Sequence, residues 1–350
     1  MKGRVYLDYN ATAPLRPEAR SAMIAAMDLL GNPSSVHSEG RAAKALVERA
    51  RAQVAAAMGA DGADVIFTSG ATEAAALACA GRDLSAALIE HEAVAAWTDG
   101  ALAVSSGGAV NVLNPARTAL QLANSETGVV QTLPEGIAVS DMTQAFGKLR
   151  VGFNESGARM ALISAHKLGG PKGIGALVVR RGTEVPAQIR GGGQEMGRRS
   201  GTENIIGIAG FGAAAEAAAQ DLTNGTWDRV EKLRNILEKT IAAGANKTIF
   251  VGKGSARLPN TSCMLTPGWK GETQVMALDL AGVAVSAGSA CSSGKVRASA
   301  VLRAMGHDEA DAACAIRVSL GPQTTEDEIT RFAEGWLALH DRHCARAGAH

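Results

Sequence analysis

The feature that most constrains the fold is the alternation of short apolar runs with alanine-rich helical segments through most of the first 220 residues. This alternation is typical of a mainly parallel β-sheet covered by helices, so the sequence predicts an α/β fold. The helix that follows Ser38 carries apolar residues at helical spacing and should pack on that sheet. The predicted strands are residues 64–68, 86–89, 120–123, 137–140, 160–164 and 176–179.

The sequence after about residue 221 changes character, because a polar turn is followed by helices mixed with short strands. The last helix is expected to begin at a capping box formed by Thr325 and Glu328. Its core-facing residues would be Ile329, Phe332, Ala333 and Trp336. We therefore predict two domains, a large α/β domain at 15–222 and a smaller α+β domain made of 1–14 and 223–350.

Charge and cysteine content exclude several classes of protein. Lys plus Arg number 35 against 34 for Asp plus Glu, which gives no electrostatic case for binding nucleic acid or an anionic membrane. The N-terminus lacks the apolar region of a signal peptide, and no apolar run is long enough to span a membrane. Five cysteines without a C-x-x-C pair indicate reduced thiols. We expect a cytoplasmic protein that acts on small molecules.

Lys167 follows an apolar run at 160–163 and precedes a glycine-rich loop at 168–175. It should therefore lie at the carboxyl end of a buried strand, where open α/β sheets carry their active sites. A partly desolvated lysine has a lowered pKa and can form a Schiff base with an aldehyde cofactor such as pyridoxal phosphate. The alternative is a solvated surface lysine beside a loop.

Three further strand ends carry residues that such a cofactor requires. Thr72 opens a helix directly after a strand, where backbone N–H groups favour a phosphate, although it is equally suited to be a plain helix cap. Asp141 can pair with a pyridine nitrogen and Gln144 can donate to a cofactor oxygen, while the alternative for Asp141 is to cap a turn. His91 can stack on the ring and move protons, or it can be a surface residue.

The joint spacing favours the functional alternative for these residues over a set of independent coincidences. Thr72, His91, Asn124, Asp141, Gln144 and Lys167 all fall at or just after successive predicted strand ends. No Walker loop and no G-x-G-x-x-G after a strand occurs, which argues against nucleotide binding.

At this point the chain resembles the cysteine desulfurases, members of the class V group of fold-type I pyridoxal phosphate enzymes. The motifs that carry the resemblance span the chain: 6–14, 31–37, 68–73, 141–148, 164–175, 191–195, 198–202, 286–291 and 316–319. The resemblance implies the fold-type I architecture, pyridoxal 5'-phosphate as cofactor, and a homodimer with shared active sites.

The resemblance also implies a role for each matched residue. Lys167 would hold the cofactor covalently, Asp141 would pair with its ring nitrogen, Gln144 would bond its phenolic oxygen, and His91 would stack on the ring. Its phosphate would be held by Ala71, Thr72, Ser164 and His166, with Thr202 reaching the phosphate of the neighbouring subunit. Asn10, Asn124 and Arg317 would bind the substrate, with Asn124 and Arg317 on its carboxylate.

Cys291 decides the reaction, since many fold-type I enzymes share the cofactor residues. It lies in a stretch of small residues that predicts an exposed, mobile loop, and Lys295 and Arg297 favour its thiolate. Cys79, Cys263 and Cys314 lie in helix-like or strand-like runs and should be buried. A thiolate on such a loop can take the sulfur of bound L-cysteine as a persulfide and leave L-alanine.

The function implied is a cysteine desulfurase that hands sulfur to an acceptor or scaffold protein for iron–sulfur assembly or thiolation. The alternatives are another class V enzyme, either a selenocysteine lyase or an aminotransferase, and a non-catalytic sulfur-carrier scaffold. The region between Thr72 and Asp141 is shorter than in typical members, and Ser125 replaces the usual second asparagine. The tail at 340–344 is predicted to be a helix end, and no metal site is expected.

Overall fold

The structure is a computed structural model that describes residues 3–288 and 298–347. Its strands are β1 (Val5–Tyr6), β2 (Asp64–Thr68), β3 (Ala119–Gln121), β4 (Val139–Asp141), β5 (Met160–Ser164), β6 (Gly175–Val179), β7 (Ile249–Phe250), β8 (Thr261–Leu265), β9 (Val283–Ala284), β10 (Ser286–Ala287) and β11 (Ala315–Ser319). Its α-helices are α1 (Pro17–Met27), α2 (Ser38–Ala57), α3 (Ala71–Cys79), α4 (Glu92–Ala95), α5 (Ile205–Thr223), α6 (Thr226–Gly244), α7 (Gly271–Leu280), α8 (Ala300–Ala304), α9 (Glu309–Ala312) and α10 (Glu326–Ala347).

The larger sheet has five strands in the spatial order β2-β6-β5-β4-β3. β4 pairs in parallel with both β3 and β5, whereas β6 is antiparallel to both of its neighbours. Four strands therefore run in one direction and β6 runs against them. The predicted α/β class with a mainly parallel sheet is confirmed.

Helices cover both faces of this sheet. In β5, Ala161 and Ile163 join a buried cluster that includes residues of α1, α2 and α5, while Met160 and Leu162 join a second cluster with α3. Successive strand residues point to opposite faces, so a strand buried on both faces must be apolar at every position. This explains why β5 is a continuous apolar run and why the sheet is enclosed between helices.

A second, four-stranded antiparallel sheet has the order β10-β11-β8-β7. Trp227 of α6, Leu278 of α7 and Trp336 of α10 belong to its buried cluster. Val5 and Leu7 join the same cluster, and β1 pairs in parallel with β9. The first residues of the chain therefore pack with its last third, while the domain boundaries given above stay a prediction.

The predicted start of the last helix is confirmed. The backbone N–H of Thr325 donates to Glu328 Oε2 at 2.9 Å, and the N–H of Glu328 donates to Thr325 Oγ1 at 3.3 Å. This reciprocal pair satisfies two N–H groups that the helix itself leaves without partners. The four residues predicted to face the core from α10 are all buried: Ile329, Phe332, Ala333 and Trp336.

The predicted strand at 86–89 is wrong. The chain there makes only isolated parallel bridges, from Leu84, Ser85 and Ala87. Leu88 is 64% exposed, so the apolar run is not buried on both faces as a central strand would be. The predicted strands at 120–123 and 137–140 are displaced by one or two residues, since β3 is Ala119–Gln121 and β4 is Val139–Asp141.

The shortened part of the sequence between α3 and β3 carries little regular structure. Residues 80–118, all of which the structure describes, contain only α4 and a short 3-10 helix at Pro115–Arg117. Across the described ranges 3–288 and 298–347, no helix is long and apolar enough to cross a membrane.

Candidate active site

Lys167 lies directly after β5, in a short 3-10 helix at Ala165–Lys167. Its Nζ donates to the backbone oxygens of Asn10 and Ala11 at 2.7 and 2.9 Å. Gly169 follows with φ of 88°, a left-handed conformation that glycine adopts without strain and that lets the chain turn back. The end of the strand therefore holds the amine against the N-terminal segment, at the position that the sequence predicts.

Lys167 lines a cavity of about 510 Å³. The structure brings ten of the predicted site residues to its wall: Asn10, Ala71, Thr72, His91, Asp141, Gln144, Ser164, His166, Lys167 and Arg317. Asn124 and Thr202 are not among the residues that line it. Cys291, together with the Lys295 and Arg297 predicted to favour its thiolate, lies outside the described residues.

One end of the cavity is suited to an anion. α3 begins after Gly70, which has no side chain to cap the helix, and Ala71 and Thr72 of the first turn line the cavity. The N–H groups of a first helical turn have no partner within the helix, and they lie at the positive end of its dipole. Ser164 and Lys172 line the same cavity and add a hydroxyl and an ammonium group.

Gly175 explains how the anion end is built. A Cβ at this position would lie 2.6 Å from the backbone oxygen of Ile163 and 2.8 Å from Gly70. The first strand residue of β6 therefore approaches the turn before α3 so closely that any side chain would displace it. Gly175, the last glycine of the predicted loop, is therefore required here because it has no side chain.

His166 contributes a neutral ring to the cavity. Burial, together with the cations of Lys167, Lys172 and Lys148, lowers the pKa of His166 to about 4. Its Nδ1 lies 3.2 Å from Thr12 Oγ1. A neutral imidazole can donate from one nitrogen and accept at the other, so His166 can donate to an anion without itself carrying a charge.

Asp141, at the end of β4, also lines the cavity. Its Oδ1 accepts from the backbone N–H of Thr143 at 2.9 Å, which holds the carboxylate at the strand end. Gln144 follows in the same turn, and its Nε2 donates to the backbone oxygen of Asn10 at 2.9 Å. An acceptor for a ring N–H and an amide donor are thus close together, as the sequence predicts.

His91 caps α4 instead of ending a strand. Its Nδ1 accepts from the backbone N–H of Ala93 at 3.1 Å, so the neutral ring carries its proton on Nε2. The preceding residue, Glu90, was missed by the sequence prediction. Its Oε1 accepts from the N–H of Gln121 at 2.8 Å, whereas its buried Oε2 has no partner in the described part of the chain. Burial raises the pKa of Glu90 well above its ordinary value, and the charge of Asp141 raises it further.

Arg317, in β11, provides the cation at the substrate end of the cavity. Its Nη2 donates to Asp8 Oδ1 at 2.9 Å and its Nη1 to the backbone oxygen of Ser125 at 3.1 Å. Ser286 Oγ donates to both Asp8 oxygens at 2.8 Å, so the carboxylate that holds the guanidinium is itself held. Arg317 Nε is buried and has no partner among residues 3–288 and 298–347. A buried charged donor without a partner is costly, and a carboxylate in the cavity would satisfy it.

The side chains of the two asparagines, Asn10 and Asn124, both make hydrogen bonds within the protein, and their roles toward substrate stay predictions. The Asn10 amide donates to Ser125 O and Thr261 Oγ1 and accepts from Lys148 and Asn260. Its hydrogen-bonding capacity is therefore taken by protein groups, and its backbone oxygen is the part that contacts Lys167.

Asn124 shapes a turn. Its Oδ1 accepts from the N–H groups of Glu126 and Thr127, both at 2.9 Å, and its Nδ2 donates to the backbone oxygen of Ile89 at 3.1 Å. These bonds hold the loop that contains Ser125, whose backbone oxygen accepts from Arg317. A direct contact of Asn124 with substrate stays a prediction.

Glu126 is a second carboxyl group that the sequence prediction missed, and it is half-buried near Arg317. Its Oε2 accepts from Ser299 Oγ at 2.5 Å, and a Cβ at Gly288 would lie 3.0 Å from the same oxygen. The two neighbours flank the sequence segment that contains Cys291. Burial raises the pKa of Glu126 to about 7, although the Ser299 hydroxyl and the Arg317 charge oppose the shift.

We expect this carboxyl group to make the stability of the protein depend on pH. Below pH 4.5, its ordinary pKa, Glu126 is protonated in both the folded and the unfolded protein. Between pH 4.5 and about 7 the folded protein keeps a proton that the unfolded chain has released. The free energy of unfolding should therefore fall as the pH rises through this range, by about 3 kcal/mol in total. Urea unfolding at pH 5 and pH 8 measures the fall.

The Glu126→Gln variant isolates this contribution, because glutamine keeps the shape and cannot ionise. Its free energy of unfolding should fall less than that of the wild-type protein between the two pH values, by the same ~3 kcal/mol. Equal pH dependence in both proteins would contradict the assignment.

The predicted burial of three cysteines is confirmed, since Cys79, Cys263 and Cys314 are all buried. Burial raises the pKa of Cys79 to about 12 and the pKa of Cys263 still further, which removes both as nucleophiles. Cys344 is exposed near the end of α10 and does not line the cavity.

The tail residues continue α10 as a helix end, as predicted. His340 stacks on Trp336, with ring centroids 5.3 Å apart. His343 stacks on Trp269, with centroids 5.2 Å apart. No group of three or more His, Cys, Asp or Glu side chains that could hold a metal ion occurs within 3–288 and 298–347.

The residues in the cavity fit pyridoxal phosphate. An aldehyde requires an amine, which Lys167 supplies; a phosphate requires donors and positive charge, which the start of α3 and Lys172 supply. A ring nitrogen requires a carboxylate, and Asp141 lies at the end of the neighbouring strand. Arg317 Nε, which has no partner in the part of the chain that the structure describes, leaves one more donor for a substrate carboxylate.

Comparison with known proteins agrees with this chemistry. The model of the aminotransferase class-V family matches residues 5–101 and 111–332. The chain therefore belongs to the class-V aminotransferases, a family that depends on pyridoxal phosphate.

The relatives narrow the family further. A cysteine desulfurase of Cereibacter sphaeroides is 40% identical over 369 residues, which cover 95% of this chain and 94% of the relative. The X-ray structure of a NifS-like protein from Rickettsia africae ESF-5 superposes with a TM-score of 0.88 at 32% identity, covering 97% of this chain and 99% of the other. A structure of SspA in complex with cysteine has a TM-score of 0.75 at 28% identity, covering 92% and 100%. Within its family, the chain belongs to the cysteine desulfurases.

Proposed function

We propose that the protein converts L-cysteine to L-alanine and takes the sulfur onto Cys291 as a persulfide. The observation that carries the proposal is that Lys167, Asp141 and Arg317 line one cavity, so that an amine, a carboxylate and a carboxylate-binding cation can act on one amino acid. The bound ligand of the neighbour SspA is cysteine, which supports the same substrate here.

Each residue of the cavity would have a separate role. Pyridoxal phosphate, when bound, supplies a protonated ring that withdraws electrons from the substrate carbons. Asp141 would hold a proton on the ring nitrogen, and Gln144 would donate to the phenolic oxygen. Lys167 Nζ would be the amine for the cofactor aldehyde and would also carry protons in the cavity. The anion end binds the phosphate through Ala71, Thr72, Ser164 and His166.

Arg317 would bind the substrate carboxylate and so fix the orientation of the substrate in the cavity. In the transfer itself the bond between the substrate sulfur and its Cβ breaks, and an S–S bond to Cys291 forms. The electron pair of the broken bond stays on the carbon, which takes up a proton to become the alanine methyl group. The thiol hydrogen of Cys291 is replaced by the substrate's S–H unit, so atoms and electrons balance.

The acceptor of the persulfide sulfur is proposed to be a separate scaffold or carrier protein, for iron–sulfur assembly or thiolation. We also propose a homodimer. Thr202 is exposed and does not line the cavity of its own chain, which agrees with a contact to the phosphate site of a second copy. Several large apolar side chains are exposed in the segments that the dimer would cover: Leu30, Val36, Ile189 and Met196.

The Cys291→Ser variant tests the sulfur step. Serine cannot form a persulfide, so both the persulfide on the enzyme and alanine release from L-cysteine should fall at least ~100-fold. Liquid chromatography of alanine and persulfide labelling followed by mass spectrometry measure the two products.

Cys344→Ser is the matched control, because Cys344 is exposed and lies outside the cavity. It should keep wild-type rates. Persulfide production at the wild-type rate by the Cys291→Ser variant would overturn the proposal and leave the protein as a different class-V enzyme. Activity on L-selenocysteine alone would indicate a lyase.

A further inference from the structure

Lys148 lies behind the active-site cavity and is only 2% exposed. It follows Gln144 by four residues and does not line the 510 Å³ cavity, although Lys148 and Lys167 both line a second, smaller cavity of about 50 Å³. Its Nζ donates to Gln144 Oε1 at 2.6 Å and to Asn10 Oδ1 at 3.0 Å. A lysine buried this deeply needs a reason, because burial removes its solvation.

The contacts of Lys148 continue to the catalytic lysine. Gln144 Nε2 donates to the backbone oxygen of Asn10 at 2.9 Å, and the same oxygen accepts from Lys167 Nζ at 2.7 Å. The Asn10 side chain is also fixed by Thr261 and Asn260. A continuous hydrogen-bonded chain therefore joins Lys148, Gln144, Asn10 and Lys167.

This chain determines which way the Gln144 amide points. An amide can exchange its oxygen and nitrogen by a half turn, and its neighbours decide which orientation is stable. The Lys148 ammonium or amine hydrogens can only be donated, and the Asn10 carbonyl can only accept. Gln144 must therefore turn Oε1 towards Lys148 and Nε2 towards Asn10, which leaves its second Nε2 hydrogen for the cavity.

The surroundings of Lys148 act on its charge. Burial lowers its pKa well below the ordinary value, and the cations of Lys167 and Arg317 lower it further. The two oxygens that its Nζ contacts, on Gln144 and Asn10, satisfy its N–H donors and offset part of the cost of burial.

We propose that Lys148 is a positioning residue, which orients the Gln144 amide towards the cofactor oxygen and holds the Asn10 carbonyl that contacts Lys167. This inference rests on the proposed function, since it takes the cavity to be the pyridoxal phosphate site. It predicts that Lys148 affects the cofactor only through Gln144 and Asn10.

Lys148→Met removes the donors and keeps an unbranched apolar side chain. Pyridoxal phosphate titrated into cofactor-free protein, followed by tryptophan fluorescence, should bind about tenfold more weakly to this variant than to the wild type. The pH midpoint of the absorption change of the bound cofactor should also shift. Arg150→Met is the matched control, because it removes an exposed cation two residues away, and it should change neither value.

A double variant separates positioning from general stability. If Lys148 acts through Gln144, the Lys148→Met change should have little further effect on cofactor affinity in a Gln144→Leu background. Full additivity of the two losses would show that Lys148 does not act through Gln144 and would overturn the proposed orientation of its amide. If Lys148→Met does not fold, Lys148→Gln replaces it in these experiments, because the shorter glutamine side chain cannot reach both Gln144 Oε1 and Asn10 Oδ1. The results expected of Lys148→Gln, and those that would contradict the proposal, are the same.

The outcomes distinguish this inference from the proposed function. Wild-type protein that binds no pyridoxal phosphate would sink the proposed function. If the wild type binds pyridoxal phosphate and Lys148→Met has the same affinity and the same pH midpoint of the absorption change, only the proposed role of Lys148 is contradicted. The cofactor-free protein gives an independent readout: the pH dependence of Lys167 modification by an amine reagent, measured by peptide mass spectrometry, should shift in Lys148→Met and not in Arg150→Met.

Discussion

Replacing Lys167 with alanine should lower the rate of alanine formation from L-cysteine at least ~10⁴-fold. The amine at this position is held by two backbone oxygens at 2.7 and 2.9 Å, so it is placed before any substrate arrives. Its loss removes both the group that bonds the aldehyde and the group that moves the proton. A methyl group cannot replace either function, and the cavity keeps its other residues.

Two measurements check this prediction. Reduction with borohydride followed by mass spectrometry should find the mass of pyridoxal phosphate on the Lys167 peptide of the wild type and on no peptide of the Lys167→Ala variant. Lys172→Ala removes the other lysine that lines the cavity and should reduce the rate far less, by weakening phosphate binding. A Lys167→Ala variant that kept a hundredth of the activity would rule out the assigned role.

The strands that were predicted correctly are those buried on both faces. β2 and β5 have the predicted bounds, because the inner positions of each strand are apolar and polar residues mark its ends. The run at 86–89 is equally apolar, yet it fails as a strand because Leu88 faces solvent. A short apolar run alone does not reveal whether neighbouring strands cover it, and that depends on the tertiary structure.

The cofactor residues were predictable for a related reason. Asp141 and Lys167 follow the neighbouring parallel strands β4 and β5, so their positions in the sequence already place them at one edge of the sheet. The residues that hold them were not predictable in this way. Asp8 and Arg317 are 309 positions apart, and no local pattern indicates that they pair.

Lys148 and Glu126 were missed although both lie in or next to recognised motifs. A charged residue in a turn is usually solvated, so its sequence context favours a surface position. Lys148 is buried where the N-terminal segment packs against Gln144, and Glu126 lies against Ser299 and Gly288. Their surroundings come from distant parts of the chain, which explains why sequence spacing did not identify them.

Arg317→Ala should reduce kcat/KM for L-cysteine about 10³-fold, mostly through KM. A carboxylate on a guanidinium receives two charge-assisted hydrogen bonds, each worth about 1.5–3 kcal/mol, so that ~4 kcal/mol of binding is lost. The buried Nε without a partner in the described residues is one donor that the substrate would use. Arg317→Lys keeps the charge without the planar fork and should recover only part of the loss.

A pair of ligands isolates the carboxylate contact from any distortion of the site. L-alanine and ethylamine share the amine and the methyl group, and only L-alanine has a carboxylate. The wild type should bind L-alanine much more tightly than ethylamine, and Arg317→Ala should remove most of this preference while ethylamine inhibition stays the same. If Arg317→Ala weakened both ligands equally, the arginine would act through the Asp8 and Ser125 contacts that shape the cavity, and the carboxylate would have to be bound by another group.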